Sequence, residues 1–220
     1  MLVIKSFSFN MFSENTFVVW DESTKESIIV DPGCSDRDEE AKLEKYITEN
    51  ELRIKYLLLT HCHIDHILGC KFIIEKYKPE YYAPKDDLFL IKRAVVYAAG
   101  FGFKIEPIPE PEKFLSEDLQ LKIGASVLSF IFTPGHTPGE YCIYFKKEAV
   151  CLTGDVLFKN SIGRTDLWGG DYNTLITSIK SKLFALPDNV KIYPGHGESS
   201  EIGTEKNFNP FLHEKSKKIS

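Results

Sequence analysis

The sequence predicts an α/β protein in which two sheets pack face to face with helices outside. Two observations carry this. Along the 220 residues a strand-rich stretch followed by a helix-containing one occurs twice, without an internal repeat of fixed period. Histidines and acids also recur just past the ends of apolar runs, where α/β proteins place their sites.

The length suits one large domain, 1–220, with room for a substantial core. Strand patterns at 2–9, 15–20 and 27–30, separated by turn formers, predict an antiparallel meander. Asp31-Pro32-Gly33 closes it, and Asp31 is read as organising its own turn in preference to binding metal. Ser35 or Asp36 caps a helix to about Glu49, with acids in its first turn and Leu43 and Ile47 on one face. A buried strand spans 54–59. The next helix carries a core stripe of Ile67, Cys70, Ile74 and Tyr77 and must end before Pro79.

Pro84 opens a helix to about Ala99. The segment 84–111, with aromatics set between glycines, is expected to form either a lid over a pocket or an Ω-like connection packing its own rings. Strands follow at 119–123, 127–132, 141–145 and 149–152. Asp171 then caps a helix with Leu175, Ile176, Ile179 and Leu183 inward, and 190–193 is a last strand.

Composition is ordinary, 43% hydrophobic and 27% charged, and the net charge of −5 speaks against nucleic acid as a partner. The basic run 215–218 reads as a solvated terminus. No apolar run reaches membrane-spanning length, and the first residues lack a signal-peptide pattern. Five cysteines without paired spacing read as buried residues of a reducing compartment, so a cytoplasmic protein is expected.

The chemistry centres on Thr60-His61-Cys62-His63-Ile64-Asp65-His66, which holds three of the six histidines. His61 and His63, two apart, leave an extended chain on one side, about 7 Å apart at Cα, a workable bite for one ion. Asp65 and His66 are adjacent, so they diverge and can reach a second ion. Imidazole and carboxylate suit zinc, iron or manganese, while Cys62 points away by strand alternation. His136 and His196 sit in Gly/Pro turns after apolar strands, and Asp155 occupies a third such turn. That repeated placement counts against a merely solvated histidine-rich loop. Arg164 is the candidate to bind a substrate carboxylate, the alternative being a loop-stiffening contact to Asp166 or Asp155. Trp168 and Tyr172 either line the pocket or pack beside it, and His213 reads as a solvated tail residue.

The HxHxDH pattern at 61–66, followed by His136, Asp155 and His196, resembles that of the metallo-β-lactamase-fold hydrolases over nearly the whole chain. The resemblance implies a four-layer αβ/βα sandwich with metals at one edge between the sheets. It implies two divalent ions, zinc first, with iron or manganese as alternatives. His61, His63 and His136 would hold one ion, Asp65, His66 and His196 the other, and Asp155 would bridge.

Segments 133–139, 153–155, 161–166 and 193–197 are similar to those of single-domain glyoxalase II-like hydrolases. They imply cleavage of a small acyl thioester, such as an S-2-hydroxyacylglutathione, by metal-bound hydroxide, with Asp65 and Asp155 orienting the nucleophile. Persulfide dioxygenases share a Gly-Arg-Thr-Asp segment and use one iron, and a non-catalytic metal-binding protein of this fold is a further alternative. Asp155 stands where many metallo-β-lactamases carry cysteine, which disfavours antibiotic hydrolysis. His63 stands where flavodiiron proteins carry glutamate, which disfavours that redox branch. No stretch matches the helical domain that helps two-domain glyoxalase II enzymes hold glutathione, so the glutathione part does not carry over.

Overall fold

A computed structural model describes residues 1–213; the run 215–218 lies outside the described residues. Strands β1 (Leu2–Phe9), β2 (Glu14–Asp21) and β3 (Glu26–Val30) form the antiparallel meander. Helix α1 (Arg37–Glu49) is capped by Asp36, whose carboxylate accepts from the amides of Asp38 and Glu39. It returns the chain to β4 (Arg53–Leu58), parallel to β3. Two short helices, α2 (Ile64–Ile67) and α3 (Cys70–Tyr77), lead to β5 (Glu80–Ala83), parallel to β4. After α4 (Leu88–Lys92) and α5 (Ala94–Gly100), β6 (Lys113–Phe114) completes a sheet in the order β1-β2-β3-β4-β5-β6.

The second half begins with β7 (Gln120–Ile123), β8 (Ser126–Phe132), β9 (Tyr141–Phe145) and β10 (Val150–Gly154), each antiparallel to the last. A small hairpin, β11 (Leu157–Phe158) with β12 (Ser161–Ile162), precedes α6 (Tyr172–Ser181). Then β13 (Lys191–Pro194) runs parallel to β10, and β14 (Ser200–Glu201) and α7 (Ile202–Phe208) follow. This sheet has the order β14-β13-β10-β9-β8-β7.

Strand alternation sorts the side chains into three apolar layers between four structural ones. Phe17, Val19, Ile28, Val30 and Leu58 meet Leu128, Phe130, Ile143, Phe145 and Leu152 between the sheets. Their neighbours Val18, Ile29 and Leu57 turn outward, under Leu43 and Ile47 of α1 and Cys70 and Ile73 of α3. Across the molecule, Cys142, Cys151 and Ile192 pack under Leu175 and Ile179 of α6 and Ile202 of α7. The result is the αβ/βα sandwich.

Three local expectations need correction. The helix expected from Pro84 to Ala99 is broken at Arg93, which has left the helical region at φ −106° and ψ 5°. The stripe after His66 is split at Leu68–Gly69, where the Gly69 amide donates to the Pro32 carbonyl at 2.7 Å. Ile67 and Cys70 are buried as expected, but Ile73 is fully buried where Ile74 and Tyr77 are only partly so. Within 84–111, Leu90, Ile91, Ala94, Ala98 and Ile108 join the first outer layer, while Leu90, Tyr97 and Phe101 also face the cleft described below. Among the described residues no helix is long and apolar enough to cross a membrane.

Candidate metal centre

Four loops bring the candidate side chains to one edge of the sandwich. Past β4, Thr60 is fixed by its amide and hydroxyl, both donating to the buried Asp31 carboxylate at 2.7 and 2.6 Å. The Thr60 carbonyl accepts the Tyr141 amide at 2.9 Å, which ties this loop to the second sheet. His63 is extended at φ −64° and ψ 153°, and the single turn of α2 then swings Asp65 and His66 inward. The His136 loop depends on Gly135, whose φ of +136° few other residues adopt. A β-carbon there would also strike the backbone of Leu175 on α6. Asp155 follows β10, its amide donating to the Glu140 carboxylate at 2.7 Å. His196 follows β13, and Asn15 of β2 holds that turn, donating from its side chain to the carbonyls of Pro194 and Gly197 at 3.0 and 2.9 Å.

The structure brings all seven candidate ligands together. Donor atoms of His61, His63 and His136 lie within 4.8 Å of one another, as do those of Asp65, His66 and His196. Asp155 lies between the two sets. Its Oδ1 is 3.6 Å from His66 Nε2, and its Oδ2 is 3.6 Å from both His136 Nε2 and His196 Nε2.

Four of the imidazoles are oriented the same way, with one nitrogen held from outside. Nδ1 of His61 meets Thr60 Oγ1 at 3.1 Å, and Nδ1 of His66 meets Asp31 Oδ2 at 3.2 Å. Nδ1 of His136 and of His196 face the carbonyls of Arg164 and Phe12 at 2.7 and 3.1 Å. The other nitrogen of each is left for the interior of the site, the arrangement that holds metal-binding histidines in one tautomer. His61 Nε2, His66 Nε2 and Asp155 Oδ1 are buried without any hydrogen-bond partner among the described residues. Unpartnered donors and acceptors at this depth are costly, and a pair of divalent cations, one in each donor set, would satisfy all three.

Electrostatics agree with that fit in the set of His61, His63 and His136, whereas the acids around His66 favour its protonated form, which a cation has to displace. Burial, then the neighbouring imidazoles, holds His61 well below the usual histidine range, and burial brings His63 down to about 3. Burial also lowers His136. These rings are neutral and able to donate a lone pair. Burial opposes the charged form of His66, yet the carboxylates of Asp65, Asp155 and Asp31 raise it above the ordinary value. Asp65 is buried, which disfavours its ionised form, but His66 and His196 pull it well below the carboxylate range.

Several residues here were not singled out in the sequence, or were read differently. Asp31, expected to serve its own turn, is held at φ +50° and bonds Thr60 and His66 instead. Its oxygens are occupied by those partners, so it orients a ligand. Glu14 and Glu140 are fully buried, Glu14 Oε1 lying 3.9 Å from His66 Nδ1 and Glu140 Oε1 3.6 Å from His61 Nδ1. Asp87 accepts from the Cys62 amide, the Thr137 hydroxyl and the Gly139 amide at 3.2, 2.8 and 2.8 Å, joining two ligand loops. Of the two readings of Arg164, the structure shows the loop-stiffening contact, made to Asp166 and not to Asp155. Its guanidinium forms a two-bond pair with Asp166, both at 2.7 Å, and only its carbonyl reaches the ligands, through His136. Trp168 lines the cleft over the site, Tyr172 is outside that wall, and His213 is exposed.

The family model described as the metallo-beta-lactamase superfamily matches residues 10–196, from β1–β2 through the last candidate ligand. The chain belongs to the metallo-beta-lactamase superfamily. It is similar to a Haemophilus influenzae protein named hydroxyacylglutathione hydrolase GloC, 37% identical over 207 residues, which cover 93% of this chain and 95% of that one. Among solved structures, BLEG-1 B3 metallo-beta-lactamase superposes with a TM-score of 0.87 at 33% identity, covering 96% of this chain and 99% of that one. A second, TTHA1623 in a di-iron-bound form, gives a TM-score of 0.84 at 32% identity, covering 94% and 100%. Similar metallo-beta-lactamase members thus carry names of two different hydrolytic activities.

Proposed function

We propose that the protein is a dinuclear metal-dependent hydrolase of acyl thioesters, with S-2-hydroxyacylglutathione-like compounds as the starting class. The observation that carries it is Asp155 standing between two complete three-residue donor sets. In this reading His61, His63 and His136 would hold one ion and Asp65, His66 and His196 the other, with Asp155 placed to serve both. When bound, such a pair supplies a hydroxide nucleophile at neutral pH and polarises the carbonyl under attack. Zinc suits the histidine-rich first set, and the di-iron form of TTHA1623 keeps iron in view.

The chain's own residues do the rest. Asp65, ionised and held by His196 at 3.2 Å, and Asp155 orient the attacking water. The outer hydrogen bonds that the imidazoles donate to the Thr60 hydroxyl, the Asp31 carboxylate and the carbonyls of Arg164 and Phe12 keep the rings aimed inward. Apolar walls shed water from the cleft and strengthen the electrostatic interactions inside it. A thiolate leaves without strong acid assistance, and Arg164 at the mouth is available to an anionic group on the leaving thiol in competition with Asp166. Five free, buried cysteines support a reducing compartment such as the cytoplasm.

A second reading, β-lactam hydrolysis, is favoured by the likeness to BLEG-1 despite Asp155 standing where many such enzymes carry cysteine. Metal analysis with parallel assays separates the possibilities. Two ions per chain and cleavage of S-D-lactoylglutathione are expected. Oxygen uptake with glutathione persulfide and no thioester cleavage overturns the proposal in favour of a dioxygenase. Cephalosporin opening with no thioester cleavage overturns it in favour of a lactamase.

A further inference from the structure

The cleft above the donor sets has a volume of about 590 Å³, in the range of small-molecule sites. Away from the candidate ligands its wall is apolar, and Phe12, Tyr97, Phe101, Phe158, Leu167 and Trp168 reach it from four separate segments. These rings are braced rather than loose. Phe12 meets Phe101 edge-on at 5.1 Å between centroids, and Trp168 lies on Phe89 at 4.2 Å.

Beyond the Tyr97 hydroxyl and the Trp168 indole N–H, both uncharged, the further polar side chains lining the cleft among the described residues are Ser161 and Arg164. Ser161 is already bonded to the Ile162 carbonyl at 3.5 Å. Arg164 is paired with Asp166, and its side chain is 61% exposed, which puts its charge at the mouth. The interior therefore offers no free ionic partner to a group bearing carboxylates and an ammonium, as the glutathionyl group does. It offers a place for hydrocarbon.

We infer that the interior of the cleft receives an apolar acyl group, aromatic or medium-chain aliphatic, on the scissile carbonyl, with the polar thiol part left toward the mouth. This rests on the hydrolase reading above and narrows its substrate class. Hydrolysis consumes one water: its oxygen bonds to the acyl carbon, the C–S bond breaks, and the products are the thiol and a carboxylic acid that ionises. The leaving thiol departs to solvent past Arg164, whereas the acyl group stays against the rings until the product is released. Each methylene moved from water onto such a wall raises kcat/KM about three- to fourfold.

The test uses the metal-loaded protein and thioesters of one neutral thiol, N-acetylcysteamine, carrying acetyl, butanoyl, hexanoyl and benzoyl groups, beside S-D-lactoylglutathione. The expected result is kcat/KM rising along the aliphatic series, benzoyl exceeding acetyl, and a flatter series for Trp168→Ala. A series that is flat or falls, with acetyl and lactoyl thioesters still cleaved, overturns this inference and leaves the hydrolase reading standing. A dependence found instead when the thiol is lengthened overturns the acyl assignment. The second readout needs no turnover. Exposed Trp168 should shift its emission to the blue with hexanoate but not with acetate, and Trp168→Phe should abolish the shift. If no thioester is cleaved at all, the hydrolase reading fails, and equal responses to the two acids overturn the apolar cleft as well.

Discussion

Asp31 and His66 face each other in the buried floor of the site, Oδ2 to Nδ1 at 3.2 Å. Asp31 thereby fixes which nitrogen of His66 is turned toward Asp65 and Asp155. Asp31→Ala should weaken binding of the ion assigned to Asp65, His66 and His196 by about 10- to 100-fold, and weaken the other ion as well through Thr60 and His61. Competition titration with a chelator resolves the two affinities, and two unchanged constants would sink this role.

Asp155 stands 3.6 Å from members of both donor sets, His136 in one and His66 and His196 in the other. Asp155→Ala should lose bound metal or most hydrolysis. Full metal content with wild-type turnover in that variant would contradict a shared site.

Asp87 makes a prediction about pH. Burial pushes its carboxyl up to about 6, above the ordinary value near 4. Between these values the native state keeps a proton that the unfolded chain has lost, so stability falls as pH rises through the window. Asp87→Asn cannot titrate and leaves a donor without its acceptor, at about 1–3 kcal/mol. The gap in Tm between wild type and variant should therefore be wider at pH 4 than at pH 7. A gap that is constant or widens with pH contradicts the assignment.

Gly195 carries no ligand atom, yet a β-carbon at that position would collide with Asp155 Oδ1 and crowd His66 Cε1. Gly195→Ala keeps every candidate ligand and should still cost about tenfold or more in metal affinity, by displacing two of them. Isothermal titration of the metal-free protein measures this directly, and unchanged affinity would mean that the loop relaxes without consequence.

Arg164 contributes to the ligands only through its backbone, which alanine retains. Arg164→Ala should leave kcat within about twofold and raise KM for thioesters with an anionic thiol, with little change for neutral ones. A fall in kcat with KM unchanged would assign the side chain to support of the site.

The candidate ligands were legible because each stands a few residues beyond an apolar run, and His61, His63 and His66 form a dense motif. The central strands were legible as short apolar runs, as at 56–59 in and after β4, because they are buried on both faces. The supporting carboxylates were not. Glu14, Glu140 and Asp87 are single acids in unremarkable surroundings, and only the fold buries them against His66, His61 and the ligand loops. Strand β5 escaped because four residues after Pro79 are too short to show a period, though they pair with β4. The break at Arg93 has no proline or glycine to announce it. The charge of Arg164 left two readings open, a substrate anion or a nearby acid, and the structure shows the pairing with Asp166 two residues on.

The clasp between Asn15 and the turn around His196 imposes an order on biosynthesis. Six of the seven candidate ligands are made before His196, but the carbonyls that Asn15 holds belong to Pro194 and Gly197. A strand completed among the first residues must wait for partners translated near the other end. Until residue 197 exists, the emerging chain is a book held by its earlier ties, Thr60 to Tyr141 and Asp87 to Thr137 and Gly139, but missing this latch. Capture of the ion assigned to Asp65, His66 and His196 should therefore follow that of the other, and a chain stalled before Gly197 should hold the second ion weakly.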